Sequence, residues 1–276
     1  MNNAVILMTA TVAPNGTKYT YLQDPETRKL QYLEAIDFYL RETAYDIVFC
    51  ENTGANLFDE IESPEKYGRL EYLTFYGNDY DTNLGKGYGE ARIIEYAIRN
   101  SHRLKSADFV IKITGRVKIL NIDKLSRKIS KNRESKRPYV ILELDGKKLA
   151  KSVCLYAPKV WLFNTVGKYG ALLCDIGYSF ERMIYHAITE TADMKVVQFY
   201  PYIDGICGGF NNPYVNFPMP IRKLCYFNGL YHLYHCRGDI PNYVLAKICW
   251  VFYAVIRKIY SRFRSCDNPV NVSDKV

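Results

Sequence analysis

The chain has 276 residues, 48% of them hydrophobic and 24% charged, with 25 tyrosines and a formal net charge of +8. Those are the proportions of a folded globular protein, long enough to bury a substantial core, so a largely disordered chain is excluded. The eight cysteines (50, 154, 174, 207, 225, 236, 249 and 266) form no C-x-x-C pair and no secretory leader precedes them, which predicts reduced thiols in the cytoplasm.

In chain order, Ala4-Val-Ile-Leu-Met-Thr-Ala-Thr11 is a continuous apolar run rich in strand formers, and it predicts a central buried strand followed by a loop over 12–17. Asp24-Pro25-Glu26 reads as a helix start, with the cap and a proline at the first position, and Leu30, Leu33, Ile36, Phe38 and Leu40 as the apolar stripe. Short apolar runs then end on polar residues: 46–50 on Glu51-Asn52, 70–76 on Gly77-Asn78, and 109–113 on Thr114-Gly115-Arg116. Further strands are predicted over 139–144, 153–157 and 196–200, separated by helical patterns around 121–132, 159–170 and 179–191. The alternation implies an α/β fold with a mostly parallel sheet flanked by helices.

Three alternate glycines, Gly85, Gly87 and Gly89, run into a helix whose inward face is Ile93, Ile94, Ala97 and Ile98. Such a loop either connects chain to helix or brings backbone N–H groups, helped by the helix dipole, against a phosphate. It matches neither the P-loop nor the dinucleotide fingerprint. Asp79 and Asp81, one residue apart, form either a solvated turn or a weak Mg²⁺ or Mn²⁺ site. Asp175, and Glu181 in the first turn of a helix capped by Ser179, are carboxylates placed for proton transfer or for helix capping, and Asp204 lies among glycines that allow close ligand approach. His232, His235 and Cys236 lack the further ligands of a zinc set and read as packing.

Taken in order, the Thr-Ala-Thr strand end, Gly85-Lys-Gly-Tyr-Gly-Glu90, Ser106-Ala-Asp-Phe-Val-Ile-Lys-Ile-Thr-Gly-Arg116 and Tyr202-Ile-Asp-Gly-Ile-Cys-Gly-Gly-Phe-Asn-Asn-Pro-Tyr214 resemble bacterial glycosyltransferases of capsule and O-antigen assembly, over roughly 4–215. The resemblance implies a GT-A-like fold over 1–240 and transfer from a nucleotide-sugar donor to a glycan or lipid-linked glycan acceptor. It implies donor contacts from Thr9, Thr11, Lys86, Gly87, Gly89, Glu90, Lys112, Thr114 and Arg116, with Asp175, Glu181 and Asp204 as candidate catalytic carboxylates. Enzymes of this pattern commonly carry Asp-x-Asp after the donor-site helix. Here Thr114-Gly115-Arg116 stands there, so an arginine is expected to do the metal's work, with no metal residues beyond the alternative Asp79 and Asp81.

Residues 241–276 hold six Lys/Arg against two Asp, which is +4 of the +8. Val244, Ile248, Val251, Phe252, Val255, Ile259 and Phe263 recur at helical spacing with basic flanks, predicting an amphipathic helix over 241–264 on the inner membrane surface and a disordered tail over 265–276. Lys247 interrupts the longest apolar run, so no spanning helix is expected. A nucleic-acid-binding module would spread its charge along one face, and nucleic acid is not expected as a partner. A membrane-associated scaffold without catalysis would have no use for the glycine loop and the strand-end arginine.

Overall fold

The computed structural model describes residues 3–145, 148–207 and 212–237, with positions 248, 251, 252 and 255 besides. Its elements are β1 (Ala4–Ala10), α1 (Pro25–Glu42), β2 (Asp46–Glu51), α2 (Lys66–Arg69), β3 (Leu70–Thr74), α3 (Lys86–Asn100), α4 (His102–Ser106), β4 (Phe109–Thr114), β5 (Lys118–Ile119) and α5 (Ile122–Asn132). Then follow β6 (Tyr139–Leu142), β7 (Leu144–Asp145), β8 (Leu149–Ala150), β9 (Cys154–Pro158), α6 (Lys159–Tyr169), α7 (Phe180–Glu190), β10 (Lys195–Gln198), β11 (Ile203–Asp204) and α8 (Met219–Arg237). Every strand and helix expected between residues 4 and 200 is present, with ends shifted by one to three residues.

The chain divides into two compact units, Met1–Glu143 with Leu149–Asn216, and Leu144–Lys148 with Phe217–Val276. In the first, seven strands in the order β10-β6-β9-β4-β1-β2-β3 form one sheet. Neighbours run parallel except β9, which is antiparallel to both β4 and β6. All seven residues of β1 are buried, as a strand with neighbours on both edges and helices on both faces requires. In the second unit α8 packs on β7. The expected helix over 241–264 and tail over 265–276 lie outside the described residues, apart from the isolated positions above. Among the described residues no helix is long and apolar enough to cross a membrane.

The two faces of the sheet differ in chemistry. On one, Ile6, Met8, Ile47, Phe49, Ile111 and Ile113 pack with α1 and α5 into a continuous apolar cluster. On the other, β4 presents Lys112 and β1 presents Thr9, both bonded to Glu90 of α3. The buried side of α1 departs from the expected stripe. It runs Arg28, Tyr32, Ala35, Ile36, Asp37, Tyr39 and Leu40, while Leu30 is 60% exposed. The spacing of Arg28, Tyr32, Ala35, Ile36, Tyr39 and Leu40 still follows one helical face, but it begins with a guanidinium and uses two tyrosines in place of leucines. Asp24 caps the helix, accepting from Thr27 N at 2.8 Å, with Pro25 at the first helical position.

The strand order reverses between β1 and β4. β1 leads through α1 to β2 on one side, while β4 arrives on the other, and open α/β sheets bind ligands at this point, outside the carboxyl ends of the strands. Gly115 allows the two strand ends to close. Its N–H donates to Thr9 O at 2.9 Å, and a Cβ there would stand 2.7 Å from that oxygen and 3.1 Å from the Tyr32 ring.

Candidate active site

A cleft of about 130 Å³ opens at the reversal point, room on the order of ten waters and so enough for a ligand of many atoms. Thr9, Thr11, Thr114 and Arg116 line it from the ends of β1 and β4, and Arg28 and Tyr32 from α1. Lys86, Gly87 and Glu90 line it from α3, Asp175, Phe180 and Glu181 from the start of α7 and the turn before it, and Tyr214 from the segment after β11. Gly89, Lys112 and Asp204 do not line it.

The wall beside α1 is cationic. Arg28 is 5% exposed and Arg116 6% exposed, and among the described residues neither forms an ion pair with a carboxylate. Arg28 donates to Thr11 O (2.7 Å), Leu22 O (3.2 Å) and Tyr32 Oη (3.1 Å). Arg116 donates to Gln31 Oε1 at 2.6 Å and bonds Tyr32. The Tyr32 hydroxyl also accepts from Thr11 N at 2.9 Å, so it joins both arginines to the end of β1. Burial, with the like charge of Arg28, pulls the Arg116 pKa below its ordinary value. Buried charges are ordinarily paired because taking them out of water is expensive. Two unpaired guanidiniums in one cleft therefore mark a place for an anion. Arg28 carries no sequence signal of its own; only its helical register with Tyr32 and Ile36 would have found it.

The opposite wall is acidic. Asp175 reaches back to the glycine loop, its carboxylate accepting from Lys86 N at 2.9 Å and from Gly87 N at 3.3 and 3.4 Å. The first amides of α3, expected to cradle a ligand phosphate, thus hold the chain's own carboxylate. The glycines serve that contact: a Cβ on Gly85, at φ +84°, would stand 2.5 Å from Asp175 Oδ2, and one on Gly87 2.7 Å from Oδ1. Gly89 makes room for the Tyr80 hydroxyl, which a Cβ there would approach to 2.4 Å. Burial raises the Asp175 pKa, against the lowering influence of Lys86 and the Gly87 amide. Burial also opposes ionisation of Glu181, but Ser152, bonded at 2.6 Å, and its other donors hold that carboxyl below its ordinary value. Two nearby carboxyls are thereby pushed in opposite directions, the pattern of a site that divides proton work between them.

Lys112 and Glu90 lie between the walls. Lys112 is fully buried and pairs with Glu90, while its ammonium also donates to Ser152 O (2.7 Å) and, more weakly, Thr114 Oγ1 (3.4 Å). It stands 5.6 Å from the centre of the Phe180 ring. Thr9 Oγ1 donates to the same Glu90 oxygen at 3.1 Å. Lys112 therefore supports the floor of the cleft and leaves ligand contact to others. Asp204, in the β5–β11 ribbon, pairs with Lys118 at 3.0 Å and is turned to that partner.

Asp79 and Asp81 are each engaged by the chain itself. Asp79 pairs with Arg92 at 2.7 Å, and Asp81 caps the turn Thr82–Leu84, accepting from Asn83 N at 2.9 Å. Among the described residues no group of three His, Cys, Asp or Glu gathers to hold a metal. One further residue acts on the loop beside the cleft, and the sequence marks it only as the polar end of a strand. Glu51, fully buried at the end of β2, accepts from the N–H groups of Val12, Thr53 and Ala55 and from Thr74 Oγ1, tying down the loop that follows β1.

No protein-family model matches the chain, and no curated protein matches it. Solved structures similar to it include a cytidylyltransferase from Leptospira borgpetersenii serovar Hardjo-bovis, at 12% identity over 72% of this chain and 76% of that one, TM-score 0.42. Another is 4-diphosphocytidyl-2C-methyl-D-erythritol synthase from Anaerococcus prevotii DSM 20548, at 10% identity over 83% and 96%, TM-score 0.39. S. aureus TarS 1-349 is similar at 9% identity over 97% and 76%, TM-score 0.41. The reading of the cleft rests on its own residues, and the chain is an α/β protein with a mostly parallel seven-stranded sheet flanked by helices.

Proposed function

We propose that this chain is a glycosyltransferase of GT-A-like architecture that moves a sugar from a nucleotide-diphosphate donor to a hydroxyl of a growing glycan. The observation that carries the reading is the buried, unpaired couple Arg28 and Arg116 at the reversal point of the sheet. Two guanidiniums match the two negative charges of a diphosphate diester, and their forks suit phosphate oxygens. When the sugar leaves, charge builds on the diphosphate, and fixed cations in a cleft shielded from water stabilise it without reorganising. The acceptor enters from the acidic wall. Asp175, whose basicity burial raises, takes its proton, and Glu181 stays ionised beside it.

The glycan as part of a bacterial surface polysaccharide, and its lipid carrier, follow from the motif resemblance and the basic amphipathic pattern of 241–264. In this reading the protein works at the cytoplasmic face of the membrane. Truncation after residue 240 is expected to abolish binding to anionic vesicles, and a truncated protein that still binds them removes the membrane part. The reading as a whole is tested by calorimetric titration of the full chain with UDP-, GDP-, CMP- and dTDP-sugars, with and without Mn²⁺. Binding of one class, weakened in Arg116→Met, is expected. Binding of none refutes it.

A further inference from the structure

The buried ion pair under the cleft turns its charges to each other, with Lys112 outside the cleft lining and Glu90 within it. Lys112 is enclosed completely and touches Glu90, the Ser152 carbonyl and Thr114. Glu90 receives both Lys112 and Thr9 on one oxygen, Oε1. Its other oxygen, Oε2, has no partner among the described residues, and the residue lines the cleft together with Arg116 and Tyr214. A ligand atom meeting Oε2 must be a donor, because an ionised carboxylate only accepts. Phosphate oxygens, which the arginines would hold nearby, bring no proton. An ammonium would, but Lys112 already supplies the counter-charge, so the pair needs no second cation. Hydroxyls remain.

We propose that Glu90 selects a polyol attached to the phosphates, accepting hydrogen bonds from its hydroxyls through Oε2, and that Lys112 is the positioning residue that fixes the carboxylate from below. The assignment rests on the phosphate reading of Arg28 and Arg116. The polyol is either the ribose or the transferred sugar, and the chemistry at Oε2 is the same for both. The arrangement also explains why a carboxylate is tolerated beside an anion site. Lys112 cancels its charge locally, while the free lone pairs keep their direction.

The test separates structure from recognition. Glu90→Gln leaves Lys112 buried and unpaired, so its melting temperature should fall. Adding Lys112→Met removes that charge and should restore the melting temperature without restoring recognition. Both proteins and the wild type are titrated with pyrophosphate, with UDP, GDP and dTDP, and with UDP-glucose, GDP-mannose and dTDP-glucose. The double variant should bind pyrophosphate as the wild type does and the polyol-bearing ligand about ten- to a hundredfold more weakly, the worth of hydrogen bonds to a charged group. Loss already present with the nucleoside diphosphate assigns the ribose; loss only with the nucleotide sugar assigns the sugar. Equal losses for pyrophosphate and polyol, or wild-type affinity for all, overturn the proposal while leaving the phosphate reading standing. A wild type that binds none of these probes overturns both. The wild type provides an arm independent of how the variants fold: it should bind these ligands more tightly than analogues lacking the ribose or the sugar hydroxyls, and equal affinity overturns the proposal.

Discussion

Arg116→Met is the sharpest single perturbation of the cleft. The guanidinium is buried, its protein partners are Gln31 and Tyr32, and burial together with Arg28 works against its charge. Methionine keeps much of the volume and removes an ion the fold holds at a cost. The free protein should therefore melt at the wild-type temperature or above it. Binding of a diphosphate ligand should weaken by about 1.5–3 kcal/mol, roughly 10- to 150-fold in Kd, the worth of hydrogen bonds between charged groups. Arg116→Lys retains the charge but not the fork and should fall between the two. Arg28→Met behaves differently, because Arg28 serves the Thr11 and Leu22 carbonyls at 2.7 and 3.2 Å as well as Tyr32. It should lose affinity and also stability, at about 1–3 kcal/mol for the unsatisfied groups, or several degrees of melting temperature in a chain this long. Calorimetry with pyrophosphate and thermal melting of the free proteins separate the cases. Unchanged pyrophosphate affinity in Arg116→Met, or a melting loss as large as that of Arg28→Met, would refute the assignment of Arg116 to the ligand.

Gly115→Ala places a methyl 2.7 Å from Thr9 O and 3.1 Å from the Tyr32 ring, so thermal melting should show a loss of about 1–3 kcal/mol and titration a weakened anion site. Asp175→Asn should melt above the wild type at neutral pH. Asp175 has a folded pKa above its ordinary 3.8, so the wild type loses stability as pH rises from that value through the folded one, and the variant does not. Glu181→Gln should do the reverse: Glu181 is held below its ordinary 4.5, so it stabilises the fold above that value and the contribution is lost as pH falls through the folded one. Melting curves from pH 3 to 8 check both signs, and transfer assays should show Asp175→Asn inactive despite its stability.

The sheet was legible because its strands are short apolar runs, each ended by polar residues, and because helical patterns separate them. Position along the chain was enough for Thr9, Thr114 and Arg116, which stand together as neighbouring strand ends in the register Thr9 opposite Thr114. What escaped the sequence depends on contacts between distant residues. Arg28 became visible only once α1 was seen to turn Arg28, Tyr32 and Tyr39 inward and leave Leu30 outside. Local hydrophobicity ranks those positions the other way. Lys112, expected from the resemblance as a donor contact, is instead enclosed by Glu90 and the Ser152 carbonyl.

The glycine loop is the most instructive departure. Its residues are those a phosphate cradle would use, and its amides do bind an anion, but the anion is Asp175, brought in by a turn between α6 and α7. Spacing cannot reveal that occupant, since it lies far along the chain. The consequence reaches the chemistry. Because Asp175 already answers the positive end of α3, that end offers a ligand phosphate less than the sequence suggested, and a phosphate brought there would meet a carboxylate. Across the cleft, Arg28 and Arg116 have no such partner. In the proposed reading the charges set a direction: phosphate toward α1, hydroxyl-bearing groups toward α3 and α7. A donor held that way presents its leaving diphosphate to the guanidiniums and its sugar to the side on which Asp175 can accept a proton.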